Sequence, residues 1–420
     1  MSSAVVRATY RIETPYPLER AAAVIAGEQS TGTFVAVPGE TDRLKALHAA
    51  RISSIEEEAP VAAPSLPGAK TPAGEGAVFN RGKVTLEFPL ANFGPSIPNL
   101  LATVAGNLFE LQEVSGLRLL DLELPDDFAR RYGGPRFGVA GTRELTGVYG
   151  RPIVGTIVKP SIGLSPEELA SLVGRLCEAG LDFIKDDELN ADPPFATLEQ
   201  KVKAVMPVIE RAADRAGRKV MYAFNITGDI EELKRRHELV VSHGGTCVMA
   251  SVQSIGFAGL AYLRSFSEVP IHAHRNGWGM LTRHPMLGMS FAAYQKLARL
   301  AGADHLHVNA LDSKFYESNE SVIASVRALR TPLAGTESCM PVLSSGQSAA
   351  TAETTYRELG TVDLMNIAGG GIIAHPDGAA AGVASMHQAW EAALAGVPAE
   401  QYAKTRSELR RALEAFGRRP

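Results

Sequence analysis

The sequence of 420 residues has only three cysteines, Cys177, Cys247 and Cys339, far apart and odd in number. That excludes a disulfide framework or a cysteine-built zinc site and predicts small buried residues in a reducing compartment. No apolar run approaches the ~20 residues that a membrane helix needs. The first stretch, MSSAVVRATYRIET, has no apolar core after its charges, so no secretory leader is expected. A basic excess is also missing: 42 Lys and Arg face 46 Asp and Glu, interspersed, for a formal net charge of -4. A nucleic-acid surface would normally show the opposite imbalance or a basic patch. What is there is 45% hydrophobic residues and a mean hydropathy of -0.01. These values predict a soluble, cytoplasmic protein with ample core and no membrane or nucleic-acid partner. The length suits one barrel of roughly 250 residues plus a smaller domain.

From about residue 150 onward a unit recurs with a period near thirty: an apolar run, a turn, then an amphipathic helix. The runs are Ile153–Lys159, Leu181–Asp186, Lys219–Ile226, Thr246–Val252, Val269–His274, His305–Leu311, Met340–Ser344 and Val362–Ile367. Between them lie SPEELASLVGRLCEAG, TLEQKVKAVMPVIERAADRAG, DIEELKRRHELVVSHG and SFAAYQKLARLAG, several capped by Ser, Thr or Asp and closed by Gly. Strand–helix alternation means a parallel sheet covered by helices. Eight units favour an α/β fold closed into a (β/α)8 TIM barrel over residues 146–420, with an open sheet as the alternative. Residues 1–145 read differently. Ala8–Ile12, Gly32–Val37, Arg51–Glu57, Lys83–Phe88 and Leu117–Leu124 look like strands, with helices in LERAAAVIAGEQ and SIPNLLATVAG. That is an N-terminal α+β layer of ferredoxin-like type. EEAPVAAPSLPGAKTPAGEGAV predicts an extended, mobile loop. EQYAKTRSELRRALEAFG predicts a terminal helix on the barrel.

Barrel chemistry sits at the C-terminal ends of the strands, and that is where the polar residues fall. The runs end in Lys159-Pro160, Lys185-Asp186-Asp187-Glu188, Asn225, His272-Ala273-His274-Arg275, Ser344-Ser345-Gly346 and Gly369-Gly370-Gly371, with His305 and His307 on the sixth. Asp187 and Glu188 are adjacent hard oxygen donors of the kind Mg2+ takes, leaving other positions for water and substrate; the bland alternative is a solvated acidic turn. Lys185 is out of place there unless CO2 makes its amine a carbamate, a third anionic donor. The glycines after the last two strands match a barrel phosphate site, where backbone N–H groups bind an anion, or else form a tight turn. Arg275 and His307 could hold a second anionic group.

These residues resemble a known family. GLDFIKDDE, IHAHRN, GADHLHVNA, VLSSG and AGGGIIAHP, with EQSTGTF and AGNLFE upstream, are similar to the large subunit of ribulose bisphosphate carboxylase, in order and across both domains. The resemblance implies an N-terminal α+β domain, a barrel, and a homodimer with active sites completed by the partner's N-terminal domain. It implies that Lys185 is carbamylated and binds Mg2+ with Asp187 and Glu188. Lys159 would shuttle the enolising proton, and His274 would also transfer protons. Arg275, His307 and Ser344 would bind the distal phosphate side, and Thr33, Gly346, Gly369 and Gly370 the other phosphate. Glu28 and Asn107 would reach into the neighbour's site.

The departures are as telling. Carboxylases read Lys-Pro-Lys where this chain has Lys159-Pro160-Ser161, and place a threonine where it has Ile157. Their glycine-lysine loop after strand six is here ALDSKFYESNE, with Lys314 aligned but in unrelated surroundings. The chain therefore looks like a RuBisCO-like protein of form IV, with the enolising apparatus and without the carboxylase-specific parts. HRNGWG and HVNALDSKF resemble the subgroup that decarboxylates 3-oxo-isoapionate 4-phosphate, and decarboxylation of a β-keto acid is carboxylation read backwards. The alternative is an enolase or isomerase of methionine salvage acting on a methylthio-pentulose phosphate. Carboxylation proper and a non-catalytic regulatory role are further options, the last opposed by the complete Lys185, Asp187 and Glu188 set.

Overall fold

The computed structural model describes residues 4–32, 37–72 and 76–417. In chain order its strands are β1 (Val5–Thr14), β2 (Arg51–Val61), β3 (Phe79–Pro89), β4 (Gly116–Glu123), β5 (Ile153–Ile157), β6 (Phe183–Lys185) and β7 (Met221–Asn225). They continue with β8 (Cys247–Ser251), β9 (Ile271–His274), β10 (Leu287–Met289), β11 (His305–His307), β12 (Met340–Leu343) and β13 (Met365–Ile367). The chain divides into two compact units: residues 1–133 with 277–300, and residues 134–276 with 301–420.

In the first unit β1 alternates by the two-residue period of a half-buried strand. Val6, Ala8, Tyr10 and Ile12 are all buried. The sheet order is β10-β4-β1-β3-β2, with β1 antiparallel to both β3 and β4. The helix Leu18–Glu28 buries Leu18, Ala21, Ala22 and Ile25. The helix Ile97–Val104 is capped by Ser96, whose side chain accepts from Asn99 N–H. Tyr10 Oη donates to Val104 O at 2.8 Å and ties that helix to the sheet. Strand order β4-β1-β3-β2 with two helices is the ferredoxin-like layer that the sequence predicts.

Two features of this unit depart from expectation. The Ala/Pro/Gly-rich stretch is not simply a loose loop: β2 runs on to Val61. Beyond it, Ser65 N and Oγ donate to the Glu13 carboxylate at 2.6 and 2.7 Å, and Lys70 N donates to Gln112 O at 2.9 Å. Buried Glu13 also takes Arg81, so one carboxylate gathers the segment onto the sheet. The second departure is the helix Phe291–Leu300, which strand–helix alternation assigns to the barrel. It belongs to the first unit, where Lys296 Nζ donates to Asp121 at 2.6 Å and β10 pairs parallel with β4. An amphipathic pattern says that a helix covers a sheet, not which sheet. The expected strand Gly32–Val37 falls largely on residues outside those described.

The second unit is a closed parallel barrel, in the order β5-β6-β7-β8-β9-β11-β12-β13. All eight expected strands are present. Alternate residues point inward: Ile153, Phe183, Met221, Ala223, Cys247, Met249, Met340, Val342, Met365 and Ile367 form one buried cluster with Val148. Capping boxes start the outer helices Pro166–Glu178 (Ser165 with Glu168) and Leu198–Ala216 (Thr197 with Gln200), and left-handed Gly217 ends the latter. The terminal segment is two helices, Ala399–Tyr402 and Ser407–Phe416, separated by a 3-10 turn, rather than one. Two glycines are steric necessities. A β-carbon on Gly371 would lie 2.4 Å from Gln347 O, where the loops after β12 and β13 touch. Gly138, at φ +51°, opens the helix Gly138–Thr146, and a β-carbon there would lie 2.2 Å from Ser338 O. That helix reaches His305, the first residue of β11, and so closes the end of the barrel opposite the strand C-termini.

Candidate active site

The last residue of β6, Lys185, is wholly buried. Its Nζ donates to Asp186 O at 2.7 Å and lies 3.6 Å from Glu188 Oε2. Burial disfavours the ammonium and outweighs the neighbouring carboxylates, so the amine titrates below the ordinary lysine range. Asp186 points the other way, into the barrel wall. It accepts from Tyr222 Oη at 2.6 Å and Asn225 N at 3.0 Å, with Lys201 Nζ at 3.4 Å. Buried Lys201 also donates to Asn190 O and Ala191 O, and Asn225 Nδ2 donates to the carbonyls of Asp187 and Glu188. The loop that carries the two carboxylates is thus held by its backbone, leaving their side chains for the barrel mouth.

Lys159 Nζ donates to Asp187 Oδ2 at 2.7 Å and to Ser161 Oγ at 2.8 Å. Burial alone would raise Asp187, but the bonds from Lys159 and Leu189 N–H prevail and hold it below the usual carboxylate range. Glu188 Oε2 lies 3.5 Å from His274 Nε2. Burial would raise Glu188 too, and His274 and Lys185 together bring it down. His274 is itself pushed down, by burial and then by Lys185. Five expected residues, Lys159, Lys185, Asp187, Glu188 and His274, therefore form one contiguous group. Gly369 adjoins it: a β-carbon there would lie 3.6 Å from Lys159 Cε. Gly370 opens the short helix Gly370–Ile373 with open space where its side chain would be. Ser345 and Gly346 both take the left-handed backbone, at φ +76°.

His274 and His307 rings lie 4.3 Å apart, centroid to centroid. His307 Nδ1 meets Ser344 Oγ at 3.0 Å, and its Nε2 meets His272 Nε2 at 2.7 Å. Arg275 forms an ion pair at 2.5 Å with Glu317, which also accepts from Asn309 Nδ2 and Ser321 Oγ. Sequence reasoning missed Glu317. No local signal marks it, since its partner Arg275 lies 42 residues away in sequence. Lys314 of that loop is exposed, over the Phe315 ring. Asn225, Tyr222 and Lys201 were missed as loop holders, since nothing in the order of residues marks Asp186 as pointing away from its neighbours. Glu28 and Asn107 lie exposed in the first unit, at the end of the helix Leu18–Glu28 and the start of the turn Asn107–Glu110. Thr33 lies outside the described residues.

Residues 138–416 match the model of the ribulose bisphosphate carboxylase large chain catalytic domain, and residues 3–128 match that of its N-terminal domain. The chain belongs to the ribulose bisphosphate carboxylase large-chain family. Within it, the chain is 53% identical over 410 residues to a 3-oxo-isoapionate-4-phosphate transcarboxylase/hydrolase of Xanthobacter autotrophicus, covering 97% of this chain and 98% of the relative. It is 44% identical over 415 residues to a 3-oxo-isoapionate-4-phosphate decarboxylase of Rhizobium etli, covering 98% and 99%. The crystal structure of a RuBisCO-like protein from Burkholderia fungorum superposes with a TM-score of 0.91 at 49% identity, over 98% of this chain and all of that one. The chain shares with the RuBisCO family the barrel and the N-terminal domain. It keeps its departures in structure as well: Ser161 is a partner of Lys159, and Ile157 packs beside Gly369.

Proposed function

We propose that this protein is a Mg2+-dependent carboxy-lyase that decarboxylates 3-oxo-isoapionate 4-phosphate by way of an enediolate. The observation that carries the reading is the contiguous group of Lys159, Asp187, Glu188, Lys185 and His274 at one end of the barrel. The names of relatives at 53% and 44% identity supply the substrate.

The residues fit a divalent ion. Among the described residues no three His, Cys, Asp or Glu side chains form a metal-binding group, so Asp187 and Glu188 need a further donor. Lys185 is next to them, and its lowered pKa favours the free amine that adds to CO2 and loses a proton to become a carbamate. When bound, the ion would polarise the substrate carbonyl and offset charge on the enediolate oxygens. The chain's own residues do the rest. The bond to the substrate carboxylate breaks, its electron pair passes into the carbonyl as an enediolate, and CO2 leaves. Lys159 Nζ or His274 Nε2 then delivers a proton to the carbon that lost it. Gly346, Gly369 and Gly370 would take a phosphate on backbone N–H groups. Arg275 and Ser344 would hold the opposite end, with His307 behind Ser344 and bonded to it. Glu28 and Asn107 would serve the partner's site in a homodimer. A cytoplasmic setting belongs to the same reading, supported by three buried cysteines that form no disulfide among the described residues; no described helix is long and apolar enough to cross a membrane.

The relative at 53% identity favours a second reading, in which the released CO2 is recaptured by the other enediolate carbon and the new keto acid is hydrolysed. One experiment tests both. The protein is activated with Mg2+ and bicarbonate and given carboxyl-13C substrate in D2O. The expected result is labelled CO2 and one deuterium in the product. Label retained in a shorter phosphorylated acid would favour transcarboxylation and hydrolysis. Exchange or isomerisation without any C–C cleavage would overturn both in favour of an enolase or isomerase.

A further inference from the structure

Behind the site a chain of hydrogen bonds crosses the barrel interior. Ser344 Oγ meets His307 Nδ1 at 3.0 Å, and His307 Nε2 meets His272 Nε2 at 2.7 Å. His272 Nδ1 meets His305 Nδ1 at 3.3 Å, and His305 Nε2 meets Thr142 Oγ1 at 2.8 Å. Thr142, on the helix that closes the far end of the barrel, bonds in turn to Gly138 O. The Phe183 ring stacks on His272 at 5.1 Å and shields the middle of the chain. All three histidines are buried. Burial pushes His305 down to about 3 and the other two well below the ordinary range, so each is a neutral ring with one N–H.

One proton must lie in each link, because two bare lone pairs at these distances repel. The order is then decided from one end. A carbonyl oxygen cannot donate, so Thr142 gives its hydroxyl proton to Gly138 O. Thr142 must therefore accept from His305 Nε2–H, which leaves His305 Nδ1 bare. His272 supplies the next proton from Nδ1 and accepts at Nε2. His307 supplies the one after from Nε2 and accepts at Nδ1. The last proton comes from Ser344.

We propose that Thr142 sets the tautomers of His305, His272 and His307 and, through them, makes the Ser344 oxygen a hydrogen-bond acceptor toward the substrate. Ser344 then recognises a substrate hydroxyl in preference to a dianionic phosphate oxygen, which has no proton to offer it. Only this last step rests on reading the barrel mouth as the substrate site; the tautomers are independent of the reaction. Thr142 acts as a positioning residue, at the opposite end of the barrel from the group it governs.

The test is long-range 1H–15N correlation on full-length protein labelled with 15N-histidine, assigned by single His→Asn variants. His305 and His307 are expected as Nε2–H tautomers and His272 as Nδ1–H, all neutral from pH 6 to 8. The opposite set in the native protein, or a protonated ring among the three, overturns the proposal without any variant. Thr142→Ser is expected to keep the pattern, and Thr142→Val to let His305 populate both tautomers. An unchanged single set in folded Thr142→Val would overturn Thr142 as the anchor. If that variant does not fold, the native spectrum decides.

Discussion

Lys159 Nζ lies 2.7 Å from Asp187 Oδ2, so the candidate proton donor of the site and one of its two candidate metal-binding carboxylates share a single ion pair. The pair, with the bond to Ser161 Oγ, fixes the position of the Lys159 amine. Replacing Lys159 by Met removes the donor and leaves the loop holders in place. We expect kcat to fall about 10²–10⁴-fold, the usual range for a positioned acid or base, with Mg2+ affinity within a few-fold of the parent. Equal turnover in Lys159→Met would assign the proton to His274 alone.

Tyr222 touches no carboxylate of the proposed metal site, only Asp186 behind it. Tyr222→Phe should cost about 1–3 kcal/mol by leaving a buried acceptor short of a donor. It should also weaken Mg2+ binding about 10–100-fold, as the loss of a supporting hydrogen bond behind metal ligands does. Isothermal titration with Mg2+ in bicarbonate checks the second effect; unchanged affinity would show that Lys201 and Asn225 hold the loop without help.

The Arg275–Glu317 pair is nearly closed to water, at 8% and 11% side-chain exposure. Glu317→Ala takes a carboxylate partner from a buried guanidinium, for which about 3–5 kcal/mol of stability is the ordinary loss. A lower urea midpoint with an unchanged slope is the expected result. A shift below about 1 kcal/mol, the range of exposed pairs, would mean that water reaches Arg275.

Acid should destabilise this protein earlier than carboxylates alone would make it. Unfolded histidines take up protons below about pH 6.5, while folded His305 resists down to about 3 and His272 and His307 resist as well. Over that window the unfolded state binds more protons, so stability falls as pH falls, by about 1.4 kcal/mol per unit for each such group. Asp187 and Glu188, held low, add to the loss at more acid pH, and Asp304, held high by burial, opposes it. Urea midpoints between pH 7 and 4.5 measure the slope, and His305→Asn should flatten it. A profile level down to pH 5 would contradict the neutral chain.

The barrel was legible because buried parallel strands are unbroken apolar runs, and because charge at their ends has nowhere to go but the mouth. Lys185, Asp187 and Glu188 stood out for that reason. Their neighbour Asp186 did not, since four consecutive polar letters do not say which side chain turns back toward Tyr222. Glu317 was illegible for a similar reason: its partner is 42 residues away in sequence. The order of protons through His305, His272 and His307 depends on one hydroxyl of a separate helix, which only the fold brings to them. The helix Phe291–Leu300 was correctly placed along the chain and assigned to the wrong sheet.

That last segment has a bearing on how the molecule comes into being. The first unit needs residues 277–300, which are made after five of the eight barrel strands. On the ribosome its sheet stays one strand short until those residues emerge, and β4 meanwhile presents a bare edge. A gene cut after residue 133 would leave that edge permanent in one fragment and strand β10 without a partner in the other. The two units are therefore a single inheritance: neither is one unbroken stretch of the chain.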